Sequence, residues 1–420
     1  MRDIEKRVFE KTEENREETV DYLLKLLSFK SINYQHDGDE KEAQEWFNKR
    51  LNELDFKTEM FDVDPELLSD YDYFVEPGER NYQDRPNVAG ILKGNGSGNS
   101  LVLNGHMDVV PIGSRENWNH SPWGEVKNSR IYGRGSSDMK SGLIGMYMAV
   151  KALKDLKIKL KADVIFQSVV DEESSGNGTL MCVAKGYTGD GGIVGECTNL
   201  EIQTAHRGVQ FLKVTTSGLS GHAARRQELV NANDKMVLIY NSLLECEKKE
   251  RLVKNHPILS SPTISVGMFH GGDAPHIVPD KCELKCDVKY LPNENSREVR
   301  EIIDRYIMKA AEKDNWLKEN PPKIDWFLDA DPSEVPKDHP IVNALQEAYV
   351  NVVGEKPVFS GMQGCADMRH LIKRGNTPAI LFGPGFIDTA HQTNEYVDID
   401  HLLIATKIYS QLLLNWCLIA

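Results

Sequence analysis

Over the first 28 residues, apolar side chains recur at Val8, Val20, Leu23, Leu24 and Leu27, with Glu and Lys between them. That is helical spacing, and it predicts helix over residues 3–28. A second helix is predicted over 39–55. Short apolar runs at 57–62, 87–92 and 100–105 read as strands. Between the first two lies an acidic segment, 63–85, carrying Tyr71, Tyr73 and Tyr82. It is long for a connection, so it is either a functional loop or a peripheral excursion. Trp118 and Trp123 fall in a further loop before Gly133-Arg134-Gly135. The pattern then predicts a helix over 140–156, a strand over 162–170, a helix over 177–186, and strands over 192–195 and 201–205.

The alternation changes at residue 208. Strand 209–216, helix 231–248, strands 263–270 and 281–291, helix 296–313 and strand 323–328 follow in the order βαββαβ. That is the order of a ferredoxin-like unit, and it predicts an inserted domain over 208–328. The chain then returns to α/β style, with helix 338–353, a loop at 361–364, helix 366–373, strand 379–382 and a final helix over 398–417. One α/β domain is therefore expected from 1–207 together with 329–420.

At 420 residues the chain exceeds one ordinary core. A formal net charge of −14 argues against a general nucleic-acid binder, which shows a basic face. No apolar run reaches membrane-spanning length, and the first residues are charged, so neither membrane nor export is expected. The seven cysteines are scattered, odd in number and never in a Cys-x-x-Cys pair. They are expected as reduced thiols in a cytoplasmic protein.

The candidate chemistry falls at strand ends. The apolar run Leu101-Val102-Leu103 leads into Asn104-Gly105-His106-Met107-Asp108, with Pro111 expected to end the strand. Two residues apart in a strand, His106 and Asp108 share a face. Asp138 opens the helix over 140–156, Glu172-Glu173 follow the strand over 162–170, Glu196 follows 192–195, and His391 lies in a late loop. Open α/β sheets place ligands at such ends. Two histidines and three carboxylates suit a pair of borderline metal ions such as zinc, with one carboxylate bridging. Adjacent carboxylates at Glu172 and Glu173 repel in a dry site unless a cation is near, so one could hold metal while the other acts on water. Each residue also has a plainer reading: Asp138 as a helix N-cap, Glu172-Glu173 as a solvated turn, Glu196 and His391 as surface residues. Their shared order at strand ends is what sets the plainer readings aside.

With those residues in place, the sequence resembles the dizinc deacylase and exopeptidase family of acetylornithine deacetylase, succinyl-diaminopimelate desuccinylase, aminoacylase and bacterial carboxypeptidases, most of all the acetylornithine deacetylase branch. The motifs at 104–111, 133–142, 171–176, 195–198, 220–223 and 391–395 carry the likeness. The resemblance implies a zinc-exopeptidase-like domain with a mixed central sheet flanked by helices, and a ferredoxin-like insertion serving as lid and dimer contact. It implies two divalent ions, zinc first, with cobalt or manganese as substitutes. His106 and Glu196 would hold one ion, Glu173 and His391 the other, and Asp138 would bridge. Asp108 would orient His106, and Glu172 would be the general base for a metal-activated water. His222 on the insertion would polarise the substrate carbonyl, often in the partner subunit's site. The peptide after Asp138 would be cis.

Three positions depart from the family pattern: Arg226 where proline is common, His276 for asparagine, and Lys289 for arginine. Substrate contacts are expected from His276, Lys289, Arg225, Asp367 and Arg369. The expected substrate is a small N-acyl amino acid or related amine. A dipeptide or C-terminal peptide bond is the alternative within enzymes. A non-catalytic binding protein on this fold is the alternative outside them, and the retained base argues against it. No Ser or Cys stands in a nucleophile-elbow setting. A homodimer through the insertion is expected, with hinges near Arg207 and Leu328.

Overall fold

A computed structural model describes residues 3–71 and 80–419. Part of the acidic segment, 72–79 with Tyr73, lies outside the described residues. The chain divides into two compact units, Met1–Ala205 with Glu334–Gly361 and Ala366–Ala420, and His206–Ser333 with Met362–Cys365.

The first unit is built on a mixed sheet. Its strands run in the order Lys57–Phe61, Asn87–Leu92, Val164–Val169, Leu101–His106, Gly191–Val194, Ala379–Leu381, Ile202–His206. The four from Val164–Val169 to Ala379–Leu381 are parallel, and the flanking pairs are antiparallel. Leu101–His106 and Val164–Val169 are buried throughout, as strands covered on both faces must be. Parallel strands bring their C-terminal ends to one rim. His106 pairs with Val169 and Asn104 with Val194, so His106, Glu172, Glu173 and Glu196 leave the sheet at neighbouring points.

The helix Lys140–Asp155 is buried on nearly every side. Its first turn lies against the end of Gly191–Val194. A Cβ on Gly142 would sit 1.8 Å from the carbonyl oxygen of Gly195, next to Glu196. Gly142→Ala is therefore expected to destabilise by at least about 1–3 kcal/mol, the range for overpacking a core. Denaturant unfolding checks this, and a variant as stable as the parent would contradict the close approach.

Three sequence expectations change. Residues 3–28 form two helices, Asp3–Glu14 and Arg16–Ser28, broken at Asn15. Asn15 is buried and donates from Nδ2 to Asp155 Oδ2 at 3.2 Å, a contact between elements that apolar spacing does not encode. The strand through His106 ends there and does not reach Asp108. Beyond it, Val109 donates its N–H to the carbonyl of Ser31 at 3.0 Å and leaves the sheet. Finally, the loop around Trp118 and Trp123 leads into a small antiparallel sheet of Glu125–Lys127, Arg130–Tyr132 and Tyr396–Asp398. This sheet joins the stretch leading to Asp138 to the stretch following His391.

The second unit carries a four-stranded antiparallel sheet in the order Ile264–His270, Lys281–Tyr290, Gly208–Ser217, Lys323–Ala330. With helices Ala232–Cys246 and Ser296–Ala311, the sequence βαββαβ gives the strand order of a ferredoxin-like fold. Its core includes Leu212, Val214, Ile239, Leu284, Ile303 and Ile307.

Six of the seven cysteines are buried and Cys365 is partly exposed. Among the described residues, no helix is long and apolar enough to cross a membrane.

Candidate metal centre

At the rim of the first unit, two groups of donors converge: His106, Asp138 and Glu196, and Asp138, Glu173 and His391. Asp138 belongs to both. Its Oδ1 lies 3.1 Å from His106 Nε2 and its Oδ2 lies 3.3 Å from His391 Nε2. Glu196 Oε1 lies 4.0 Å from His106 Nε2, and Glu173 Oε2 lies 2.9 Å from His391 Nε2. Glu172 Oε2 stands 4.0 Å from His106 Nε2 without belonging to either group. The Asp138–Met139 peptide is cis, as the resemblance implied.

The electrostatics are those of carboxylates crowded out of water. Burial pushes the Glu172 carboxyl well above its usual range, and the charge of Glu196 adds to it against the relief from His106. Burial and the nearby Asp138 push Glu196 up to about 8. Burial, with Asp138 again, raises Glu173. Asp138 goes the other way: against its burial, hydrogen bonds to His106 and His391 hold it far below the usual carboxylate range. Bonds to Asp138 and Glu173 lift His391 to about 10. Four carboxyl groups thus surround two imidazoles. Such a set is relieved by protons or by divalent cations, and its two-His, three-carboxylate donors fit two borderline ions sharing Asp138.

Asp138 is held by a residue that lies within the sequence motifs but has no role there. Glu395 Oε1 accepts the backbone N–H groups of Gly135, Ser137 and Asp138 at 3.1, 2.9 and 3.0 Å. Arg134 Nη1 donates to its other oxygen at 2.6 Å. Glu395 and Arg134 are both buried. The signal was present: an arginine inside Gly133-Arg134-Gly135 and a glutamate four residues after His391. Outer partners of metal ligands typically control affinity by about 10–100-fold. Glu395→Ala is therefore expected to weaken metal binding by about that factor, read by competition with a chelator. Unchanged affinity would mean that Asp138 does not depend on this cradle.

Asp108 orients His106, but through its backbone. His106 Nδ1 pairs with the Asp108 carbonyl oxygen at 2.8 Å, whereas the carboxylate is 3.8 Å away. The carboxylate accepts the N–H groups of Glu172 and Glu173 at 3.3 and 3.2 Å, and Asn33 Nδ2 at 2.7 Å. This corrects the expectation that the carboxylate itself would hold the ring: Asp108 lies past the strand end, so its side chain no longer runs beside His106.

Asp367 and Arg369, expected as substrate contacts, are buried and engaged within the chain. Asp367 Oδ2 accepts from Thr179 at 2.7 Å, and Arg369 Nη2 donates to the carbonyl of Ser175 at 2.6 Å. Both crowd against Gly176, whose φ is +76°. A Cβ there would meet Asp367 Oδ1 at 2.3 Å. Both pack against the turn carrying Glu172.

The remaining candidates lie in the second unit. His222 is exposed on the short strand Gly221–His222, paired with Ile277–Val278. Its ring centroid is 6.3 Å from that of His276. Lys289 Nζ pairs with Asp287 Oδ2 at 2.9 Å, and Arg225 pairs with Glu228.

A mixed sheet with this donor set at the C-terminal rim of its parallel strands, and a further carboxylate beside it, is an arrangement suited to metal-assisted hydrolysis. Residues 102–415 match the peptidase family M20/M25/M40, and the chain belongs to that family. It is 31% identical over 435 residues to N-formyl-4-amino-5-aminomethyl-2-methylpyrimidine deformylase of Bacillus subtilis (strain 168), covering 97% of this chain and 96% of the relative. It is 30% identical over 353 residues to acetylornithine deacetylase of Vibrio cholerae, covering 79% of this chain and 85% of the relative. The fold is similar to that of the dipeptidase Dug1p from Saccharomyces cerevisiae, with a TM-score of 0.78 at 15% identity, covering 98% of each chain.

Proposed function

We propose that this chain removes a formyl or other short acyl group from the nitrogen of a small amine by hydrolysis. The supporting observation is the likeness along nearly the whole chain to a deformylase, joined to a complete donor set with Glu172 beside it. The ions proposed are zinc at both positions, with cobalt or manganese able to replace it. His106 and Glu196 would hold one, Glu173 and His391 the other, and Asp138 both. When bound, such ions supply Lewis acidity and make water a nucleophile near neutral pH.

The chain's own residues do the rest. Glu172 accepts the proton of the attacking water and returns it to the departing amine nitrogen. Burial raises the Glu172 carboxyl above its ordinary range, which makes it a stronger proton acceptor. Glu395 and Arg134 fix Asp138, and the Asp108 carbonyl fixes the ring of His106. His222 donates to the substrate carbonyl oxygen as negative charge develops there.

We also read the chain as a cytoplasmic homodimer through its second unit. Ile264–His270 is an edge strand with Met268 56% and Phe269 44% exposed, and an exposed apolar edge invites pairing. Mixing His222→Ala with Glu172→Gln chains is expected to restore activity if each site borrows His222 from its partner. No recovery despite proven subunit exchange would leave His222 acting within its own chain or outside catalysis.

The test of the activity is a panel of N-formyl aminomethylpyrimidines, N-acetyl amino acids and dipeptides, each with zinc, cobalt and manganese. Fastest cleavage of N-formyl or N-acetyl amines supports the reading. Dipeptides cleaved fastest would move the chain to a peptidase role, and binding without turnover would make it a binding protein.

A further inference from the structure

The acidic segment re-enters the described residues at Arg80, whose guanidinium sits on the turn that presents Glu172 and Glu173. Arg80 Nη1 donates to Asp171 Oδ1 at 2.7 Å and to Asn33 Oδ1 at 2.6 Å, and Nη2 donates to Ser174 Oγ at 2.9 Å. Two residues on, the Tyr82 hydroxyl donates to Asp171 Oδ2 at 2.7 Å and accepts from Asn177 Nδ2 at 3.0 Å. Ser175 donates to the same Asp171 oxygen. Both carboxylate oxygens of Asp171 are therefore held, one by each of two residues from the segment.

Asp171 merits such restraint. Its φ is +70°, a region sparsely populated by residues with a side chain. Its carbonyl accepts the N–H groups of Ser175 and Gly176, both at 2.9 Å, and so closes the turn. On the other flank, Asn33 carries the restraint onward: its Nδ2 donates to Asp108 Oδ2, and Asp108 accepts the N–H groups of Glu172 and Glu173. Arg80 thus joins two chains of contact that enclose the Glu172-Glu173 pair. The Arg80 and Asp171 side chains are 12% and 0% exposed, so this ion pair is shielded from the solvent that weakens surface pairs.

We propose that Arg80, assisted by Tyr82, is a positioning residue that fixes the Glu172-Glu173 turn through Asp171 and Asn33. The inference rests on Glu172 being the proton carrier. It gives the end of the long segment 63–85 a role, as a clamp on the catalytic turn. A residue that gripped substrate would act on KM. One that sets the aim of a proton carrier acts on kcat, because a displacement of about 1 Å can cost about 10²-fold in rate.

The test uses full-length zinc-loaded protein and the N-formyl or N-acetyl amine turned over best by the parent. Arg80→Ala is expected to lower kcat by about 10²-fold with KM changed by less than about threefold. Arg80→Lys should recover part of the loss, and added guanidinium should rescue Arg80→Ala but not Glu172→Gln. Independently of activity, backbone amide exchange over 171–176 should accelerate in Arg80→Ala and Tyr82→Phe and stay unchanged in the distant helix Ser296–Ala311. Should Arg80→Ala fail to fold, Arg80→Lys and Tyr82→Phe carry both readouts. A raised KM at parental kcat, or parental exchange over 171–176, overturns the proposal. Full activity in Glu172→Gln would instead remove the proton-carrier reading, and the exchange measurement would still decide whether the clamp exists.

Discussion

Glu172→Gln is expected to lower turnover by about 10² to 10⁴-fold, the range for a positioned general base, while two metal ions stay bound. The substitution keeps the shape and removes the proton acceptor. Glu172 lies beside His106 without completing either donor group, so metal content should match the parent. Its backbone N–H still meets Asp108, so the turn should hold. The measurement is kcat beside metal content on the same preparation. Lost metal with parental activity per bound ion would make Glu172 a ligand and end its role as base.

Asp138→Ala is expected to act on both ions at once. Asp138 is the one residue common to the two donor groups, and it alone among the carboxylates is held far below its usual range by two imidazoles. Its removal separates the groups and leaves Glu173 and Glu196 without the bridge. If metal chemistry supplies about 4 kcal/mol of the rate, activity falls by about 10³-fold, at about 1.36 kcal/mol per decade. Metal analysis after gel filtration checks the cause. Two tightly held ions in the variant would show that Asp138 does not bridge.

Much of this site was legible because its donors follow apolar runs. Leu101-Val102-Leu103 announces a buried strand, and His106 stands at its end. Glu172 and Glu196 follow similar runs at Val164–Val169 and Gly191–Val194. The βαββαβ succession of the second unit was legible because six long elements alternate in one order. What stayed hidden was short or relational. Strands of three residues, as at Glu125–Lys127 and Arg130–Tyr132, are too brief for alternation to register. Asn15 interrupts a helix through a partner at Asp155, 140 positions away. Asp108 acts on His106 through its carbonyl because the strand ends early, and a backbone atom leaves no mark in residue type. Arg80 was an ordinary charge in the sequence, and Glu395 stood in the 391–395 motif with no role given to it. Their work appears only when Asp138 and Asp171 are seen to lean on them.

Whether this rim is a two-ion hydrolytic centre is decided by one titration. Protein stripped with a chelator and dialysed is titrated with zinc while bound metal and hydrolysis of an N-formyl amine are followed together. The stripped protein is expected to be inert, and its activity to climb with occupancy and level off at two ions per chain. Full hydrolysis by the metal-free chain, or two bound ions with no gain in rate across the substrate panel, would contradict a two-ion hydrolytic centre.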